Sequence, residues 1–277
     1  MSTGILYIVA TPIGNLMDIS QRALDTLQQV DLIAAEDTRH SGKLLQHFAI
    51  NTPMLSLHQY NEVERTQQLL KQLLSGASIA LISDAGTPLV SDPGFKLVQH
   101  AHQSAIKVVP IPGACAAITA LSASGMPSDQ FIFVGFLPAK TQQRQTRLQQ
   151  LVKQPLTMIF YEAPHRILAL MDDLVTVFGE QRRAVMAREL TKLYETIQTG
   201  TLRSLQSFIV EDTQQQRGEF VIIVAGADAT QEKDNEKAQE ILAILLEELP
   251  PRQAAKLAAR ITHEKVNVLY RCIKKRT

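Results

Sequence analysis

The chain has 277 residues, of which 45% are apolar, 20% charged and 5% aromatic, with no Trp. This composition excludes a fibrous or largely disordered chain and leaves room for one to three domains with a sizeable core. Net charge is +1, from 28 basic and 27 acidic residues, but that average hides a split. Residues 251–277 carry eight Lys/Arg against the single acid Glu264, a net of +7, while residues 1–250 carry 20 basic and 26 acidic residues, a net of −6. A basic end on an acidic body predicts a terminal unit that meets something anionic. The two Cys, Cys115 and Cys272, can build neither a disulfide framework nor a Cys-rich zinc site, which predicts a reducing, cytoplasmic setting. The opening MSTGILYIVATPIG has no basic n-region and is not expected to be a signal peptide. No apolar stretch is long enough to span a bilayer.

Along the chain, short β-branched runs alternate with helical patterns. Ile5–Ala10 predicts a strand that ends at Thr11-Pro12, and apolar spacing over Ile19–Gln29 predicts a helix. Leu32–Ala35 reads as a strand; Thr38–Phe48 and Glu62–Leu74 read as helices. Ser78–Ser83 is a third strand, followed by the breaker-rich loop 84–94 and a helix over Phe95–His102. Lys107–Ile111 is a fourth strand, closed by Pro112-Gly113 before a helix of small residues, Ala114–Ser122. This βαβα order predicts a parallel sheet covered by helices. Gly125–Ser128 reads as a linker. Beyond it, strands are expected at Phe131–Phe136, Leu156–Tyr161, Ala184–Arg188, Thr196–Gly200 and Glu219–Ala225, with helices at Arg166–Val177 and Leu202–Val210. The shorter spacings suggest a mixed sheet. Ala229–Asn235 reads as a polar linker, Glu236–Leu249 as an amphipathic helix stopped by Pro250-Pro251, and Gln253–Ile261 and Val266–Ile273 as two short helices. The expected domains are therefore 1–126, 127–228 and a basic helical unit, 236–277.

Four constellations could carry chemistry. The loop Ser83–Gly94 follows a buried strand, where ligands of open α/β sheets bind. Its glycines permit close backbone approach, and Asp84, Thr87 and Ser91 offer polar groups. It also reads as a turn-rich connection with Asp92 as an N-cap. The loop Thr11–Leu16 sits where a dinucleotide-binding protein would carry GxGxxG but has only one Gly, and GxxxxGK[ST] occurs nowhere, which argues against NAD and against ATP or GTP. Glu36–His40 ends the second strand, with Asp37 or Thr38 as an N-cap and Glu36 and Arg39 near the same sheet edge. Finally, Phe160–Arg166 and Arg188–Lys192 end strands in the second half; they can complete an interdomain cleft or simply pair their Arg and Glu residues with one another. The seven His show no HxxxH or HExxH, so no metal site is expected.

The segments ATPIGNL (10–16), AAEDTRHSG (34–42), SDAGTPLVSDPG (83–94), PIPGACAAITAL (110–121), FVGFLPAK (133–140), FYEAPHR (160–166) and ARELTKLYET (187–196) occur in order across nearly the whole chain. Together they resemble the bacterial 16S ribosomal RNA cytidine 2′-O-methyltransferases, the small-subunit methyltransferase I family of the tetrapyrrole-methylase-like superfamily. The resemblance implies two α/β domains with S-adenosylmethionine in the interdomain cleft, a homodimer, and methylation of the ribose of cytidine 1402 of 16S rRNA in the assembled 30S subunit. Positions matching the superfamily's cofactor contacts are Pro12, Asp84, Ala85, Gly86, Thr87, Leu89, Cys115, Ala116, Phe160, Tyr161, Leu190 and Ala225. Where tetrapyrrole-methylating relatives carry Gly-Asp-Pro, this chain has Gly86-Thr87-Pro88; the acid missing there has a possible substitute in Asp84.

Methyl transfer to a ribose hydroxyl needs alignment and a proton acceptor. Candidate bases are Glu36, Asp37, His58, Glu162 and Glu189, while Arg39, His165, Arg166, Arg188 and Lys192 could hold phosphate or orient the ribose. Glu36, Arg39 and Glu189 weigh most, because they sit in the motifs that most distinguish this chain from tetrapyrrole methylases. For RNA contact, the acid-free stretch Leu137–Gln154 offers Lys140, Arg144, Arg147 and Lys153. The C-terminal unit, with a helix–turn–helix look, offers Arg252, Lys256, Arg260, Lys265, Arg271 and Lys274. The low aromatic content favours backbone and shape contacts over stacking.

Overall fold

The computed structural model describes residues 3–227, 229–262, 266 and 269. In chain order the first half runs β1 (Ile5–Val9), α1 (Gln21–Gln29), β2 (Leu32–Ala35), α2 (Thr38–His47), β3 (Met54–Ser56), α3 (Glu62–Leu74), β4 (Ile79–Ile82), α4 (Phe95–Gln103), β5 (Lys107–Ile111) and α5 (Ala116–Ser124). The second half runs β6 (Phe131–Phe136), α6 (Thr141–Gln149), β7 (Thr157–Glu162), α7 (Ile167–Phe178), β8 (Arg183–Arg188), β9 (Thr196–Thr201), α8 (Leu202–Glu211) and β10 (Phe220–Val224), followed by α9 (Ala229–Glu248) and α10 (Pro251–Thr262).

The first sheet has the order β3-β2-β4-β1-β5, and all its paired strands are parallel. Its central strand β4, Ile-Ala-Leu-Ile, is buried throughout, as expected of a parallel sheet with helices on both faces. One face packs Leu27, Ile33 and Leu45 into a core; the other packs Leu69, Leu73 and Leu97. All carboxyl ends of these strands therefore lie along one edge, and the motif loops after β1, β2, β4 and β5 share it. Strand β3, three residues after Pro53, is too short to show a sequence period. Gly94 enters α4 at φ +119°, where a Cβ would lie 2.6 Å from Leu81 Cδ2, so glycine is required by both conformation and space.

The second sheet has the order β6-β7-β10-β8-β9 and is mixed, as the spacing suggested. β6 and β7 are parallel, whereas β10 is antiparallel to both β7 and β8, and β9 to β8. The chain divides into two compact units, Met1–Gln150 with Thr157–Ala225, and Leu151–Leu156 with Gly226–Thr277. Both sheets belong to the first. In the second, α9 and α10 pack through Ala238, Leu242, Ala254, Ala255, Ala258 and Ala259. Two expectations are corrected here. Residues 229–235 are the first turns of α9 and not a linker, because Ala-Thr-Gln-Glu-Lys-Asp-Asn is polar yet holds no Gly or Pro to break a helix. Pro251 does not merely end α9; it opens α10, at the first helical position where its missing N–H costs nothing. Among the described residues, no helix is long and apolar enough to cross a membrane.

Candidate active site

The loops at the carboxyl edge of the first sheet are stitched together. Thr11 N–H donates to Gly86 O at 2.9 Å and Gly86 N–H to Thr11 O at 3.1 Å, while the buried Thr11 hydroxyl donates to Ser83 O at 3.2 Å. This close pairing needs Gly86 at φ +83°, where an added Cβ would sit 3.3 Å from Ile13. The Thr87 hydroxyl donates to Ala114 O at 3.0 Å, joining the loop after β4 to the one after β5. Asp84 ties in the end of β2: its Oδ1 accepts the Asp37 N–H at 3.0 Å, and its own N–H donates to the Glu36 carboxylate.

Facing these loops, one side of the second sheet presents Tyr161 of β7, Ala187 of β8 and Val221 of β10, with Leu190 beyond β8. Tyr161 Oη accepts the Ala117 N–H at 2.9 Å, and its ring meets Phe133 and Phe136 edge-on with centroids 5.0 and 5.6 Å away. A cavity of about 420 Å³ lies between the two sheets. Its walls are largely apolar, apart from Glu36, Asp84, Thr87, Ser91, Asp92, Glu162 and Glu219.

Asp84, Ala85, Gly86, Thr87, Cys115, Ala116, Tyr161 and Leu190, all expected at the cofactor, line this cavity; Pro12, Leu89, Phe160 and Ala225 do not. Pro12 is buried and its neighbour Ile13 takes the wall. Leu89 packs into the core of the first sheet. Phe160 is one residue out of phase with Tyr161 and fully buried on the opposite face of β7. Ala225 follows the C-terminal end of β10, which runs antiparallel to β7 and β8, so it lies at the opposite edge and donates to Arg183 O at 2.9 Å.

Of the candidate catalytic residues, Glu36 borders the cavity. Burial first, and then nearby Asp84, raises its pKa above the ordinary carboxylate value. Arg39 stands at the exposed rim, its guanidinium forked onto Asp37 at 3.3 and 3.0 Å; the Arg39 side-chain and backbone donors hold Asp37 down to about 2. Glu189 is engaged elsewhere. It accepts from Lys192 Nζ at 2.8 Å and from the Glu219 N–H at 2.9 Å; partial burial opposes its ionisation, but these donors outweigh it and lower its pKa. Glu189 is not among the cavity-lining residues and reads as a brace for the loop after β8. That loop and the one after β4 carry four non-glycine residues at positive φ, Leu89, Ser91, Glu189 and Thr191, a strain that concentrates around the cavity. Arg188 is buried and donates to Gln215, Arg217 O and Tyr194 O. Glu162 pairs with Arg166 at 3.1 Å.

Of the two readings that the sequence left for the loop of Asp92, the structure corrects the N-cap one. Asp92 is not the N-cap of α4, because the Glu62 carboxylate reaches across from α3 to accept the Gly94 and Lys96 N–H groups at 3.0 and 3.2 Å. Asp92 instead lines the cavity. Burial, then the Glu36 charge and, more weakly, Asp84, push its pKa up to about 7 against the opposing Ser83 hydroxyl. A second, polar cavity of about 750 Å³ adjoins it, lined in part by Thr38, Arg39, His58 and Tyr60.

The RNA expectations divide. Arg144 is corrected: it is 2% exposed, its Nε lies 2.6 Å from Asp173 Oδ2, and it donates to the carbonyls of Ala139 and Ala169 at 3.0 and 3.4 Å. It binds α6 to α7 and cannot reach a phosphate. Lys140, Arg147, Arg252, Lys256 and Arg260 are exposed, whereas Lys265, Arg271 and Lys274 lie outside the described residues. Among the described residues, no cluster of His, Cys, Asp and Glu could hold a metal.

Two family models match the chain: tetrapyrrole (corrin/porphyrin) methylases over residues 5–206, and the RsmI C-terminal HTH domain over residues 232–273. The ribosomal RNA small subunit methyltransferase I of Pseudomonas aeruginosa is 54% identical over 98% of this chain and 96% of its own length. That of Synechocystis sp. is 48% identical over 94% and 93%. The chain belongs to the ribosomal RNA small subunit methyltransferase I family. The fold has relatives among solved structures, including diphthine synthase (TM-score 0.61, 14% identity, covering 80% of this chain and 90% of that one). Another is a uroporphyrin-III C-methyltransferase of Thermus thermophilus, solved with S-adenosyl homocysteine (TM-score 0.56, 15% identity, covering 80% and 97%).

Proposed function

We propose that the protein transfers a methyl group from S-adenosylmethionine to the ribose 2′-oxygen of a cytidine in 16S rRNA, cytidine 1402 by resemblance, within the assembled 30S subunit. The observation that carries this reading is the cavity at the carboxyl edge of the parallel sheet, in a chain of this family. Its volume falls within the ligand-binding range of about 300–1,000 Å³. Its donor set also fits the cofactor: apolar Ile13, Ala187, Leu190 and Val221 suit an adenosine, backbone at Ala85–Thr87 approaches closely because Gly86 lacks a Cβ, and carboxylates at Glu36 and Asp84 suit a sulfonium and an ammonium. When bound, the cofactor supplies a methyl group already activated by positive charge. The protein aligns the acceptor oxygen with that methyl and receives its proton.

In this reading Glu36 tunes the charge of the site, Arg39 meets a phosphate at its rim, and Glu189 holds the loop that carries Leu190. Lys140 and Arg147 on the body, and Arg252, Lys256 and Arg260 on α10, meet the RNA backbone. The protein works in the cytoplasm as a homodimer. The test is transfer from labelled S-adenosylmethionine to 30S subunits, naked 16S rRNA and a tetrapyrrole, with mass-spectrometric mapping of the modified nucleotide. A 2′-O-methylcytidine formed only in 30S subunits supports the reading; label on the tetrapyrrole alone sinks it.

A further inference from the structure

The cavity between the two sheets and the polar cavity beside it share one wall, made by Glu36, Asp84, Ser91 and Asp92. A group that passes between two bound molecules must cross such a wall. Resting on the reading above, we propose that the polar cavity is the acceptor subsite for a ribonucleotide turned out of its RNA, and that Asp92 is the base that takes the proton of its 2′-hydroxyl.

The rim of the polar cavity suits a nucleotide. Tyr60 is 88% exposed, so its ring is free to stack on a base. The Arg39 side chain is 90% exposed; Asp37 takes its Nε and Nη2 and holds it at the rim, which leaves Nη1 to donate to a phosphate. Farther in, His58 Nδ1 is buried and has no partner among the described residues, which leaves a polar atom for a base edge or ribose. The volume, about 750 Å³, admits a whole nucleotide, and enzymes that act on a nucleotide within folded RNA or DNA commonly extrude it into such a pocket.

Within the shared wall the three carboxylates are not equivalent. Asp84 accepts the Asp37 N–H, and Glu36 accepts the Asp84 N–H. Asp92 has the Ser83 hydroxyl as its one hydrogen-bond donor among the described residues, and Ser91 at φ +75° turns the chain just before it. The groups facing it are Glu36 from the end of β2, Asp84 from the loop after β4 and Tyr161 from β7; His58 faces Glu36. With a pKa of about 7, Asp92 is a far stronger base than an ordinary carboxylate and is still substantially ionised at neutral pH. The ribose oxygen bonds to the methyl carbon as the carbon–sulfur bond breaks with its electron pair left on sulfur. The oxygen's proton passes to the Asp92 carboxylate and from there to water.

The experiment uses the full-length protein, 30S subunits lacking the methyl group and tritiated S-adenosylmethionine, with S-adenosylhomocysteine affinity measured by calorimetry alongside. The wild-type rate should rise with pH to a bend near 7, and Asp92→Asn should lose about 100-fold or more in transfer rate while its S-adenosylhomocysteine affinity is unchanged. Glu36→Gln should move the bend to lower pH, because a like charge is removed. Tyr60→Ala should raise the KM for 30S subunits about tenfold, with Tyr60→Phe restoring it. A wild type that transfers nothing to 30S RNA sinks the ribosomal reading. A wild type that does, with Asp92→Asn nearly as fast or Tyr60→Ala unchanged in KM, sinks the present assignment alone.

Discussion

The phenolic oxygen of Tyr161, at the end of β7, accepts the backbone N–H of Ala117, in the first turn of α5, at 2.9 Å. One hydrogen bond thus joins the second sheet to the helix that follows the first, at the wall of the cavity. Cys115 at the N-cap makes no side-chain cap hydrogen bond, so Tyr161 supplies from a distance what a local cap would. Burial first, and then the neighbouring Cys115, raises the Tyr161 pKa well above that of an ordinary phenol, which keeps the ring neutral.

Tyr161→Phe keeps the edge-on contacts to Phe133 and Phe136 and removes only the acceptor. The orphaned N–H should cost about 1–3 kcal/mol, a fall in melting temperature of about 2–6 °C, and weaken S-adenosylhomocysteine binding because Cys115 and Ala116 lose their anchor. Thermal melting and calorimetry on the same samples check this. Unchanged values in both would show that α5 is placed by its packing alone.

Arg144 and Arg147 are three residues apart on α6 and should behave oppositely. Arg144 is buried against Asp173, so Arg144→Ala leaves an uncompensated carboxylate and should destabilise the protein by about 3–5 kcal/mol. Arg147 is exposed and donates to Gln150 at 2.9 Å; Arg147→Ala should change stability by less than about 0.5 kcal/mol. If it touches a phosphate, the salt dependence of 30S binding should fall by about one unit of slope. Chemical denaturation and binding at several salt concentrations separate the two residues.

That pair also shows where the sequence stops being legible. An acid-free basic run is visible at once, but the acid that consumes Arg144 is 29 residues away, on α7, and no local pattern points to it. The first sheet was readable because each parallel strand is a short apolar run and all the carboxyl ends fall on one edge, which gathered the loops at Thr11, Glu36 and Ser83 correctly. The second sheet was less so. Its strands were found, but their directions were not; Ala225 and Phe160, carried over from the resemblance, lie away from the cavity because β10 runs antiparallel to β7 and because the pleat turns Phe160 to the other face. The N-cap reading of Asp92 failed for a related reason. Asp-Pro-Gly before a helix is a capping sequence, and only the fold shows that Glu62 has taken that role.

Asp92 makes a further prediction, about stability. An acid whose folded pKa lies above its unfolded value, here about 7 against an ordinary value near 4, stabilises the fold only while it is protonated there. Its contribution is complete below about pH 4 and is lost as the pH rises through about 7. Asp92→Asn, which cannot ionise, should therefore melt together with the wild type at pH 4 and progressively above it as the pH approaches 8. The wild type melting higher at pH 8 would mean that a cation, rather than burial beside Glu36 and Asp84, governs this carboxylate.

The last prediction concerns the basic unit. On α10, Arg252, Lys256 and Arg260 recur every fourth residue and are exposed, whereas Ala254, Ala255, Ala258 and Ala259 are buried in the packing with α9. Small buried residues let the two helices approach closely, and the charged positions take no part in that core. Replacing all three with Gln should leave the melting temperature and S-adenosylhomocysteine affinity unchanged. If each charge meets a phosphate, the slope of log affinity for 30S subunits against log salt should fall by about two to three, a loss of affinity that is largest at low salt. The comparison with Arg147→Ala is informative, because that residue lies in the other compact unit and the two losses should add if both units grip the same RNA. A triple variant that binds 30S subunits with the wild-type salt slope would leave α10 as a solvated face, and the RNA contact would have to be sought on the body of the protein.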